Sequence, residues 1–194
     1  MTDFVLLLPI IVIGSGAILL MLLSAFENLK EEYACYIGMA VFLLGFFAQL
    51  AGSASREIFI FNDVFNGMLV SNSFTVVAGL IICGCGFFTC LSSHTYFQQN
   101  KFGALEYYAL TAFAACGMML LTMAQELITA FISLEIMSLA IYVLVGMHKT
   151  QVKATEAVLK YLMLGAFAGG FFAMGSALMY GGAGSTKFAI IGRH

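Results

Sequence analysis

The chain has 194 residues, 62% of them hydrophobic and 9% charged, with a mean hydropathy of +1.01. Soluble domains carry about a quarter of their residues as Asp, Glu, Lys and Arg, so the composition excludes a soluble globular protein and requires lipid as solvent. Eight basic residues against ten acidic ones leave a net charge of −2 with no basic run, which excludes a nucleic-acid or anionic-surface partner.

A bilayer core about 30 Å thick is crossed by about 20 apolar residues in a helix, so the length admits six or seven spans and little room for a soluble domain. Charge-free runs predict the first three helices at residues 4–26, 33–55 and 72–93. The first run follows Asp3, has no Lys or Arg before it and is too long for a signal-peptide core, so it reads as a retained helix. Between the second and third helices, residues 56–72 contain Phe59, Ile60, Phe61, Val64 and Phe65 among few charges, the composition of an interfacial segment packed beside the bundle without crossing.

Three further helices, with single charges in or at them, are predicted at residues 106–124, 126–147 and 155–180. The joint around Gln125 is so short that the fourth and fifth spans form an antiparallel hairpin if both cross. The polar connections are short and none resembles a linker, so residues 1–194 read as a single transmembrane domain. The expected fold is an all-α membrane bundle of six helices.

Cys35, Cys83, Cys85, Cys90 and Cys116 all fall inside apolar runs, where they pack as small hydrophobes. Cys83, Cys85 and Cys90 do not share one helical face, which argues against a metal site. Basic residues in short loops set orientation: Lys30, Lys101, Lys149 and Lys153 fall on one side against Arg56 on the other, which makes the first side cytoplasmic and the N-terminus external. Lys187 and Arg193 in the tail oppose that assignment.

Glu135 is the sharpest chemical signal. It lies nine residues beyond Glu126, about 13 Å along a helix and hence near mid-membrane, where ionisable groups are costly and mark ion paths, relays or pairing sites. Ser138 and Tyr142 follow at three and seven residues and share its face. Withdrawal from water favours a neutral carboxyl and a nearby ammonium favours a charged one, so a glutamate at this depth suits loading and release of a proton. A fixed interhelical hydrogen bond or ion pair is the structural alternative.

Lys160 lies inside the sixth span with Glu156 four residues before it, the favourable order for a helical pair. At a depth similar to that of Glu135 it is either part of a transmembrane charge pair or a lysine snorkelling to the interface. Glu106 opens the fourth span beside Tyr107 and Tyr108, as an entry point for protons or as an ordinary interfacial carboxylate among belt tyrosines. Gly165 and Gly169 form a Gly-x-x-x-Gly spacing that permits close helix packing.

The runs 106–111, 126–144 and 156–170 resemble the antiporter-like subunit N of bacterial respiratory complex I, the NADH:quinone oxidoreductase, a family allied to multisubunit sodium/proton antiporters. The similarity is strongest over 106–184, with a looser match at 65–74. The resemblance implies a membrane-arm subunit of the bacterial inner membrane with its N-terminus outside, contributing to proton translocation coupled to quinone reduction. It implies that Glu135 passes protons together with lysines; Lys160 and Glu106 are further candidates. Family members are similar in plan to two inverted five-helix repeats behind three leading helices, so this chain ends partway through the first repeat, as a fragment or as a short form. Where family members often carry an acidic residue this chain has Asn72, to which no role is assigned.

No Gly-rich phosphate loop, zinc motif or nucleophile–base arrangement occurs, so no redox chemistry is expected in this chain. NADH, FMN, iron–sulfur clusters and quinone would belong to partner subunits, and the expected partners are other membrane subunits and the bilayer. Two other readings stand beside this one: a subunit of a multisubunit cation/proton antiporter or membrane-bound hydrogenase, and a structural membrane scaffold.

Overall fold

The computed structural model describes residues 2–25, 31–54, 62–65, 67–100, 103–148 and 151–193. Lys30, Arg56, Phe59, Ile60, Phe61, Lys101 and Lys149, used above for orientation and for the interfacial segment, lie outside the described residues. Lipid offers no hydrogen bonds to a backbone, so an apolar run closes its own as a helix. Among the described residues six helices are long and apolar enough to cross a membrane: α1 (Thr2–Ser24), α2 (Glu31–Ala54), α3 (Ser73–Asn100), α4 (Ala104–Met123), α5 (Leu127–Val145) and α6 (Val152–Ala183). A single-turn α7 (Phe188–Ile191) follows.

The described part of the segment between α2 and α3 contains a hairpin that the sequence reading did not foresee. Strands β1 (Asn62–Val64) and β2 (Leu69–Ser71) pair antiparallel, with Asn62 opposite Ser71 and Val64 opposite Leu69. Alternation over three residues is too short to read in a sequence, and the turn depends on Phe65 and Gly67 at φ 51° and 80°, a region glycine enters freely and phenylalanine rarely. Directly after β2, Asn72 caps α3. Its Oδ1 accepts the Thr75 N–H at 2.9 Å, while the Thr75 hydroxyl accepts the Asn72 N–H at 3.0 Å, satisfying donors that a helix start leaves open.

Helix α4 is the centre of the bundle. Half of its span is buried, against α1, α2, α3 and α5. Its interior face is lined with small residues, Ala109, Ala112 and Ala115 among them, which let neighbouring backbones come close where lipid supplies no hydrophobic drive. The closest approach is at Gly117: a Cβ there would fall 2.6 Å from the Met137 backbone N and 2.9 Å from the Ser133 carbonyl of α5. Around this axis Ile13, Ala17 and Leu20 of α1, Phe42 of α2 and Cys83 and Cys90 of α3 form the core. Cys85 faces outward.

At one end of the bundle three connections are tied together. Ala124 and Glu126 are extended where α4 gives way to α5. Leu69 bridges to Ala124, and Glu126 bridges to Lys187. The Gln125 N–H donates to Met68 O at 2.9 Å, and Phe188 N–H donates to Gln125 O at 3.1 Å. Backbone groups at the α4–α5 joint are thereby paired with the hairpin on one side and with the segment after α6 on the other. Helix α6 itself packs on α5 and has no buried residue along its length.

Candidate functional site

Glu135 sits in the middle of α5 and is half-buried. It lines a cleft of about 400 Å³ between α5 and α6, together with Ser138 and Tyr142 from its own helix. The shared face read from their spacing is therefore one wall of a real cavity. Gly165 and Gly169 are the opposite wall. A Cβ on Gly169 would lie 2.7 Å from Glu135 Oε1, and one on Gly165 would collide with the Tyr142 hydroxyl. The small-residue spacing thus does more than bring two helices close, because it leaves room for a carboxylate and a phenol in the gap.

Aromatic pairs close both ends of the cleft. Phe131 stacks on Phe172 with ring centres 5.7 Å apart, and Tyr142 meets Tyr161 edge-on at 5.3 Å. The Glu135 carboxylate and the Ser138, Tyr142 and Tyr161 hydroxyls are the polar side-chain groups in an otherwise apolar slot. A half-buried carboxylate with neighbouring hydroxyls can exchange a proton or accept a hydrogen bond. Among the described residues no three His, Cys, Asp or Glu side chains converge.

The other two sequence candidates lie elsewhere. Lys160 pairs with Glu156 one turn before it, both side chains being mostly exposed. Its neighbour Tyr161 enters the cleft and Lys160 does not. Glu106 is half-buried in the first turn of α4, with its carboxylate beside Gly103 and within reach of Met147 after α5, where an acidic group suits the positive end of the helix dipole. Glu106, Glu135 and Lys160 are therefore not gathered at one point.

A profile of the family described as NADH:quinone oxidoreductase/Mrp antiporter, TM, matches residues 124–194. NADH-quinone oxidoreductase subunit N 1 of Sorangium cellulosum is 34% identical over 195 residues, covering 95% of this chain and 38% of that protein. Subunit N of Paramagnetospirillum magneticum is 36% identical over 188 residues, covering 96% and 37%. The chain belongs to the subunit N family. It spans somewhat over a third of the length of these relatives. In the solved respiratory complex I of Thermus thermophilus with bound aureothin, one chain is similar with a TM-score of 0.73 and 26% identity, covering 92% of this chain and 38% of that one. A chain of an archaeal membrane-bound sulfane sulfur reductase shares the fold at a TM-score of 0.74 and 20% identity. The profile's segment starts at the α4–α5 joint and contains the whole Glu135 cleft.

Glu126 and Gln49, both buried, escaped the sequence reading. Glu126, taken as the start of a span, is 7% exposed. Its carboxylate accepts the Thr129 hydroxyl at 2.9 Å and, from beyond α6, the Thr186 hydroxyl at 3.2 Å. Gln49 of α2 is 8% exposed and donates to the Thr75 and Val76 carbonyls of α3 at 3.3 and 3.4 Å. Gln49 did carry a signal, a lone amide deep in an apolar run. Glu126 carried none, because a carboxylate at a span boundary ordinarily faces water.

Proposed function

We propose that this chain serves as a membrane-arm subunit of a proton-translocating NADH:quinone oxidoreductase, with Glu135 as its proton-carrying group. The observation that carries the reading is the cleft: a mid-helix carboxylate, half-buried, shares one wall with the Ser138 and Tyr142 hydroxyls in a slot that glycines of the facing helix keep open. A carboxylate at that depth binds or releases a proton according to how wet its surroundings are and what charge lies near. A small shift of α6 against α5 changes both. Tyr142 and Ser138 would lead the proton along the α5 face, Glu106 would supply protons from the surface, and Lys160 would be the supporting charge one residue from the Tyr161 end of the slot. NADH, FMN, iron–sulfur clusters and quinone belong in this reading to partner subunits. The orientation follows the loop lysines, with the N-terminus outside a bacterial inner membrane.

The test is Glu135→Gln in the assembled complex. The amide keeps size and hydrogen bonding and removes the exchangeable charge. Proton translocation is expected to fall steeply while the complex still assembles, and pumping that stays intact would sink the proposal. Glu135→Ala separates the scaffold reading, since loss of assembly with normal pumping in the glutamine variant would mean a purely structural carboxylate. The matched family also covers Mrp antiporters. Affinity purification of the chain from native membranes decides between the two, flavin and iron–sulfur subunits supporting the oxidoreductase and antiporter subunits alone supporting the other.

A further inference from the structure

A second and larger hollow, of about 660 Å³, lies at the opposite end of the bundle from the α4–α5 joint, within the size range of about 300–1,000 Å³ typical of small-molecule sites. Its walls are the second half of α3, the start of α4 and the end of α5. Along α3 the lining runs from Phe88 to Phe97, about 14 Å at the helical rise, which is about half of a 30 Å hydrocarbon core. The hollow is one leaflet deep. A partner helix crossing the membrane would need a groove about twice as long, and a small soluble ligand would not need a wall open to lipid.

Polarity changes along this depth. The inner end is Phe88, Leu144 and Val145, and the nearby Thr89 hydroxyl is used up within its own helix on the Cys85 carbonyl at 2.8 Å. Toward the outer end the lining is mixed, with Ser92, Tyr96, Tyr107 and His148 beside Phe97 and Met147, so that hydroxyls and an imidazole become available at the level where headgroups begin. Among the described residues no Asp or Glu lines the hollow; the Glu106 carboxylate and the Met147 methyl group both lie against Gly103. Phe88 and Tyr96 are exposed on its outer side, so entry is sideways from the bilayer.

We propose that this hollow is a phospholipid site that takes one acyl chain between α3 and α5 and holds the headgroup phosphate on Ser92, Tyr96, Tyr107 and His148. The apolar depth matches one chain of one leaflet, and hydroxyl and imidazole N–H donors match phosphate oxygens. The chain spans little more than a third of its relatives, but the three walls of the hollow are all within it.

The experiment uses the chain in its native membrane complex and a phosphatidylglycerol carrying a photoreactive group in its acyl chain. After illumination, labelled peptides are expected to concentrate at residues 88–97 and 144–148 above the level found on the exposed residues of α6, such as Leu164, Phe171 and Leu178, which serve as the measure of ordinary surrounding lipid. Filling the hollow from both walls with Ser92→Trp and Val145→Trp, at partly exposed positions that leave the core alone, is expected to abolish the excess. His148→Ala, which removes one donor to a charged group, is expected to lower it roughly fivefold. Labelling no higher than on α6, labelling unchanged in the filled variant, or cross-links from these peptides to another protein subunit would each overturn the proposal.

Discussion

Glu135 acquires its setting from residues on another helix. Gly169 leaves the space its carboxylate occupies, while Gly170, next in the chain, faces open space. Gly169→Ala is therefore expected to displace the carboxylate and reduce proton translocation, with Gly170→Ala indistinguishable from the parent; equal effects in a pumping assay would mean that the cleft is irrelevant. Gly165→Ala sets a Cβ against the Tyr142 phenol and is expected to cost about 1–3 kcal/mol of overpacking, read as a lowered unfolding midpoint in detergent. Glu126 poses a different question, since its two hydroxyl partners come from α5 and from beyond α6. Glu126→Ala leaves both without their acceptor and is expected to cost about 1–3 kcal/mol, Glu126→Gln less, by the same unfolding measurement.

Among elements, the pairing of α4 with α5 is the tightest, and Gly117 is the reason. Alanine there would press on backbone rather than on a flexible side chain, so Gly117→Ala is expected to push the helices apart at a cost of about 1–3 kcal/mol. Distances between spin labels on the two helices would lengthen; unchanged distances would show that the approach is not limiting. Helix α6 stands at the other extreme, held to α5 at its cleft and anchored beyond its C-terminus by the Glu126–Thr186 and Gln125–Phe188 links. An element anchored at one end and loosely packed along its length is suited to small movements about a proton site. The amides of Leu127 and Phe188, bonded to Thr186 O and Gln125 O, are expected to exchange slowly with deuterium, and Thr186→Val to speed exchange at Phe188.

At the scale of the whole molecule, the tied end joins the hairpin, the α4–α5 joint and the segment after α6, while the hollow lined by Phe97, Tyr107 and His148 marks the other end. Single cysteines in a background without the native five should divide accordingly. Phe65→Cys and Ser185→Cys are expected to react with an impermeant maleimide from one side of oriented vesicles, Gly103→Cys and His148→Cys from the other. If positions 65 and 185 reacted from opposite sides, the arrangement of spans described here would be wrong.

Lipid as the solvent, six helices and a carboxylate halfway along the fifth follow from the amino-acid sequence alone. These are local properties: transfer free energy adds residue by residue, and a helix has a fixed rise. Which faces meet was not legible in the same way. The spans are apolar on nearly every side, so polarity does not say which stripe turns inward as it does for a helix in water. Shape does, through Gly117, Gly165 and Gly169 and the alanines of α4, and shape exists only once neighbours are in place. Hence the face shared by Glu135, Ser138 and Tyr142 and the pairing of Lys160 with Glu156 could be read from spacing, whereas the glycine wall opposite Glu135, the burial of Glu126 beneath Thr186 and the β-hairpin before α3 were decided by tertiary structure.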